Sequence, residues 1–226
     1  MTSDVAVIAG AGPGLSGSLA RLLAKEGFRV VLAARNVGKL AALVEETGAV
    51  AVETDVADAA SVANLFDVAD KAGALSLAVF NASGRTRGSI ADLDPEAVRQ
   101  ALLVGAYGGF LIGQQAARRL LARGSGSILF TGATASVKGF SGSAGFAMPK
   151  FGLRGLAQSM ARELAPKNIH VAHFIIDGAI APSGQADESD RRLSPDAIAQ
   201  TYLAIHRQHR SAWSSELEIR PWVETF

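Results

Sequence analysis

Phe146 and Lys150 stand four residues apart in the stretch GFAMPK. That spacing puts two side chains on one face of a helix. A tyrosine four residues before a lysine would suggest a proton relay, with the phenol as acid. A phenyl ring has no proton to give, so this pair keeps the cation and lacks the acid. A second chemical stretch is AGAGPGLSG, where Gly10, Gly12 and Gly14 crowd the end of an apolar run. Glycines at a strand-to-helix turn let the backbone approach a pyrophosphate, and the free N–H groups at the helix start point at it. The alternative is a tight turn that holds no ligand. The next apolar run ends VVLAARN, with Ala34 and Arg35 where NAD-preferring folds place an acid on the adenosine ribose. An aspartate there would repel a 2′-phosphate, whereas Arg35 would pair with it, so NADP(H) is expected over NAD(H). The alternative for Arg35 is a solvated surface charge.

These groups need a scaffold. Short apolar runs near 5–10, 29–34, 48–55, 76–82, 126–132, 169–177 and 216–220 read as strands. Most are nearly continuous in apolar residues, as in strands covered on both faces. Helical stretches near 14–26, 37–47, 59–72, 95–122, 144–165 and 195–208 alternate with them. Ser61 and the Asp94–Pro95 entry supply start signals. The alternation predicts one α/β domain over 1–226: a doubly wound, Rossmann-like parallel sheet of about seven strands with helices on both faces. Residues 181–196 are polar and rich in breakers, which predicts a short loop or lid.

The totals agree with one enzyme-sized domain: 226 residues, 49% hydrophobic, 24 glycines. A net charge of +1 gives no field that calls for nucleic acid or acidic lipid. With no cysteine, disulfides, thiolate metal sites and a cysteine nucleophile are excluded. The start MTSDVAVIAG has no secretory pattern and no run approaches a membrane span, so a cytoplasmic protein is expected.

Together these stretches resemble the short-chain dehydrogenase/reductase family over almost the whole chain. The family's TGxxxGxG is similar to AGAGPGLS, with Ala9 for threonine and Ser16 for the last glycine. The aspartate after the third strand matches Asp55, the NNAG stretch matches Asn81, Ala82 and Gly84, and the active-site lysine matches Lys150. The proline-glycine turn after the sixth strand is IDGAI, with Asp177 in place of proline. The resemblance implies a cofactor site at Gly10, Gly12, Gly14, Leu15, Arg35, Asp55, Val56, Asn81, Ala82, Lys150 and Gly178. It also implies a homodimer or homotetramer through the helices near 95–122 and 144–165.

The catalytic positions depart from the family, which uses serine, tyrosine and lysine with an asparagine on the long central helix. Here Ala133 takes the serine position, Phe146 the tyrosine and Gly105 the asparagine, so only Lys150 remains. Other groups are weak substitutes. Tyr107 lies two helical steps from Gly105, about 200° around the helix. Tyr202 is expected in the core, and Ser143 and Thr134 are hydroxyls too weakly acidic to serve as the acid. His170 and His173 read as structural, His206 and His209 as a solvated helix end, and no metal site is expected. The cluster DESDRR reads as exposed loop, and Trp213 and Trp222 as cover for the core or a neighbouring subunit. Two functions stay open. One is an NADP(H)-dependent oxidoreductase with an atypical site, acting on a small carbonyl, imine or enone. The other is a catalytically silent NADP(H)-binding sensor or scaffold.

Overall fold

The computed structural model describes residues 4–182 and 189–224. All seven apolar runs form strands: β1 (Asp4–Ala9), β2 (Arg29–Ala34), β3 (Val50–Glu53), β4 (Ala74–Phe80), β5 (Gly126–Thr131), β6 (Ile169–Ile176) and β7 (Glu216–Ile219). They make one sheet in the order β3-β2-β1-β4-β5-β6-β7. Every neighbouring pair is parallel. Seven α-helices lie among the described residues: α1 (Leu15–Lys25), α2 (Ala41–Thr47), α3 (Ala59–Ala72), α4 (Pro95–Leu102), α5 (Gly108–Arg123), α6 (Ala144–Leu164) and α7 (Pro195–His206).

Continuous apolar strands hide a period of two. Val5, Val7 and Phe80 join Phe66, Ile112 and Leu153 of α3, α5 and α6 in one core. Ala6, Ile8 and Leu77 face the other way and join Leu19, Leu43 and Tyr202 of α1, α2 and α7. Burying each large side chain contributes about 1.5–3 kcal/mol, so both faces must be covered. This is why the strands read as unbroken apolar runs. The chain order reverses between β1 and β4, which are neighbours, and this opens a crevice beyond their C-terminal ends.

Three details differ from the sequence expectations. The helix expected over 95–122 is interrupted by a π-helical turn at Leu103–Tyr107, with Gly105 at its centre. A Cβ at Gly105 would lie 2.7 Å from Cβ of Pro149, so α6 presses directly on the backbone there. The stretch expected as one helix over 37–47 opens with a 3-10 turn at Val37–Leu40. Helix α3 is capped by Asp58, whose carboxylate accepts from Ser61 N–H at 2.6 Å. Ser61 therefore sits inside the first turn, and its hydroxyl accepts from the Asp55 N–H. Asp94 does cap α4, accepting from the N–H groups of Glu96 and Ala97.

The expected loop over 181–196 falls partly on residues 183–188, which lie outside the described residues. Its two ends are tied, Ala181 N–H to Leu193 O and Leu193 N–H to Ala179 O, both at 2.9 Å. Residues 195–196 already belong to α7. Asp187 and Glu188 of the DESDRR cluster are likewise outside the described residues. Among the described residues, no helix is long and apolar enough to cross a membrane.

Candidate functional site

Gly10 follows β1 with φ +89°, and a Cβ there would lie 2.3 Å from the Ala82 N. The close crossing of the β1 and β4 ends therefore requires this glycine before any ligand is considered. Gly12 is different, because a Cβ there would meet nothing within 4 Å. No packing within the chain demands that glycine, and its open side suits a group laid across the backbone. Gly14 caps α1 without a side-chain bond, and the first turn carries no acid. The positive end of that helix dipole is left for an anion.

Gly10, Gly12, Arg35, Asp55, Val56, Asn81 and Ala82 all line one crevice of about 720 Å³. Gly14, Leu15, Lys150 and Gly178 do not line it. Leu15 points into the α1 core, and Gly178 lines the neighbouring cavity. Sequence reasoning missed two residues here. Lys39, one turn past Arg35, joins it on the crevice wall. Ser16 accepts from Asn81 Nδ2 at 2.7 Å and donates to Gly10 O at 2.9 Å. It thereby ties the glycine turn to the β4 end. A polar residue among buried α1 positions was the available signal. Asp55 accepts from Ala57 N–H at 2.9 Å, which fixes its carboxylate at the crevice edge.

Lys150 is 5% exposed, and its Nζ donates to Thr131 O at 2.8 Å. The same Nζ lies 5.8 Å from the centre of the Phe146 ring. Burial pulls its pKa from 10.5 down to about 8. Below pH 8 the lysine is protonated in both folded and unfolded chains, and burying the charge costs about 3 kcal/mol. As pH rises from about 8 to 10.5, the folded state gives up its proton first and the penalty fades. The stability of the wild type relative to Lys150→Met should therefore rise by about 3 kcal/mol across that window. Urea midpoints of both proteins from pH 7 to 10.5 check this, and a flat difference would contradict it.

Ala133 and Phe146 line a second cavity of about 740 Å³ beyond the ends of β5 and β6, together with Thr134, Ser143, Asp177 and Gly178. Ala133 is extended, with φ −159° and ψ 173°, a conformation open to serine. The third vacant position is not empty space, because Pro149 fills the room beside Gly105. The two weak hydroxyls are engaged. Thr134 donates to the Asp177 carboxylate. Ser143 donates to Phe140 O at 2.7 Å and accepts from Phe140 N–H at 3.0 Å. Asp177 also pairs with Arg220 at 2.9 Å.

The tyrosines do not reach this cavity. Tyr202 is fully buried, stacks on Phe174 at 3.6 Å and shares a 2.9 Å hydrogen bond with Thr131 Oγ1. Its burial raises the phenol pKa further. Tyr107 is exposed and stacks on Phe110. His170 stacks on Trp213 at 4.7 Å, so this tryptophan covers the chain's own core, while Trp222 stays 79% exposed. His173 lies 3.2 Å from Glu216, which Arg154 holds with two 2.7 Å bonds. Burial outweighs that carboxylate and pulls His173 down to about 4, so it is neutral near pH 7 and donates to Glu216. His206 corrects the solvated-end expectation. It turns inward to Ser127 Oγ at 3.0 Å and against Phe28, while His209 stays exposed. Among the described residues, no cluster of three metal-ligating side chains forms.

The sequence matches the family described as short chain dehydrogenase over residues 4–191. Trans-4-hydroxycyclohexanecarboxylate dehydrogenase of Sinomonas cyclohexanicum is 35% identical over 183 residues, spanning 76% of this chain and 70% of that protein. The crystal structure of a short-chain dehydrogenase from Rhodopseudomonas palustris is similar at a TM-score of 0.86 and 39% identity, covering 97% of this chain and 99% of that one. A metagenomic short-chain oxidoreductase in complex with NADP gives a TM-score of 0.85 at 27% identity, covering 97% and 98%.

Proposed function

This chain belongs to the short-chain dehydrogenase family, and from that premise we propose that it transfers hydride between NADP(H) and a small substrate at an atypical site. The carrying observation is that one crevice unites Gly12, Arg35, Asp55 and Asn81, with the buried Lys150 kept at the neighbouring catalytic position. The NADP named with the metagenomic relative supports the same cofactor class. The dehydrogenase named from Sinomonas cyclohexanicum supports an alcohol and its ketone as the substrate pair.

When bound, the nicotinamide supplies the hydride. Arg35 and Lys39 would hold the 2′-phosphate, the α1 N-terminus would meet the pyrophosphate, and Asp55 and Val56 would flank the adenine. Lys150 would exchange its Thr131 partner for the nicotinamide ribose. With Phe146 and Ala133 in place, no phenol gives a proton and no serine steadies the growing negative charge. Solvent then supplies the proton. Acceptors that need little acid help, such as iminium ions and activated alkenes, suit the site alongside ketones. The outward apolar residues Phe110 of α5 and Met148 and Phe151 of α6 support a homodimer or homotetramer through these helices.

The two vacant functional groups also favour a second reading, a silent NADP(H)-binding sensor or scaffold. Fluorescence titration with NADPH and NADH, followed by turnover on ketones, imines and enones, separates the two. Tighter NADPH binding with measurable turnover is expected. Tight binding without turnover on any class would leave the sensor reading.

A further inference from the structure

The charges around the 740 Å³ cavity are sorted by strand. Asp177 follows β6, Glu218 lies on β7 and Glu224 follows it, with Arg220 bonded to both Asp177 and Glu218. On the other side, Arg85 and Arg87 follow β4 and Lys138 follows β5. Because the order is β4-β5-β6-β7, the sheet itself holds the two groups apart. Among the described residues, Arg85, Arg87 and Lys138 have no carboxylate partner, whereas seven other arginines, from Arg21 to Arg220, each have at least one.

Arg85 is also the best placed of the three. Its Cζ lies 5.5 Å from the centre of the Phe146 ring, the ring that stands in the proton donor's position. A guanidinium held on an aromatic face keeps its N–H fork free at the edge. The hydroxyls of Thr134 and Ser143 already donate within the chain. An anion entering here therefore meets a positive wall with a free bidentate donor beside the reacting position.

We propose that Arg85, supported by Arg87 and Lys138, is a carboxylate subsite, and that the substrate pair is a small oxo acid and its hydroxy acid. This rests on the hydride-transfer reading. The acid's carboxylate forms two parallel N–H···O bonds with Arg85. Its carbonyl, one or two carbons away, then lies over Ala133 and Phe146. The carbonyl carbon gains the hydride, the π pair passes to oxygen, and water gives the proton. The nicotinamide is oxidised in the same step.

The test uses the full-length protein in two measurements. Malonate binding to the NADP-loaded protein is read by calorimetry for wild type, Arg85→Gln and Arg85→Lys. Turnover with NADPH is compared for pyruvate and acetoacetate against their methyl esters. Arg85 is exposed, so both variants should keep the wild-type melting temperature. Arg85→Gln should weaken malonate roughly 10- to 100-fold, and Arg85→Lys should recover part of it. The acids should show lower KM than the esters, and Arg85→Gln should erase that difference. Malonate binding unchanged in Arg85→Gln, or esters handled as well as acids, would overturn the subsite. If esters are reduced freely, hydride transfer stands without the subsite. If malonate depends on Arg85 but nothing is reduced, the subsite stands and hydride transfer falls.

Discussion

Ala133→Ser combined with Phe146→Tyr should raise ketone reduction by roughly 10²- to 10⁴-fold over the wild type. The phenol restores a general acid and the serine restores a donor to the growing oxyanion. The two gains act as a unit and will not add. The structure favours the double variant. Both positions line one cavity, Ala133 is already extended, and Lys150 lies near the Phe146 ring, where it can lower the new phenol's pKa. Adding Gly105→Asn should reverse the benefit, since its Cβ would meet Pro149 at 2.7 Å. That overpacking costs about 1–3 kcal/mol of stability. Steady-state kinetics on one ketone with NADPH, alongside melting temperatures, reads all three effects. An unchanged kcat/KM in a folded double variant would mean that the cavity no longer presents a carbonyl to these positions.

Arg35→Asp should shift the ratio of NADPH to NADH affinity by roughly 10²-fold toward NADH. The arginine stands on the crevice wall at the end of β2, and Lys39 beside it adds a second positive charge. On the proposed reading, replacing the guanidinium would remove a charge-assisted bond to the 2′-phosphate and set a like charge against it. The new carboxylate can accept from both ribose hydroxyls of NADH. Because Lys39 remains, NADPH binding should weaken without vanishing. Fluorescence titration of both cofactors gives the ratio directly. A ratio that moves less than twofold would place the 2′-phosphate elsewhere.

The strands were legible because parallel strands covered on both faces are buried on both and so mostly apolar, as in β6, which is buried at every position and apolar at all but His170 and His173. The glycine turn was legible too, although Gly10 answers first to the backbone of Ala82, whereas Gly12 and Gly14 are open. What escaped the sequence was tertiary. Ser16 bridges Gly10 and Asn81 across 65 residues, a link no local pattern carries. His206 looked like a polar helix end because its partner, Ser127, lies 79 residues away on β5. Gly105 read as a missing asparagine, yet the space it leaves belongs to Pro149, and that fit goes with a π turn in place of regular helix. Arg85 carried no signal at all, because only the fold brings the loop after β4 against Phe146.

The most direct test is isotopic. NADPH deuterated at C4 is mixed with wild-type protein and a panel of ketones, oxo acids, imines and enones, and the products are read by mass spectrometry. Hydride transfer at this site predicts a product carrying one deuterium on the carbon that was reduced, formed more slowly by Lys150→Met. Tight NADPH binding with no deuterium in any product would contradict it.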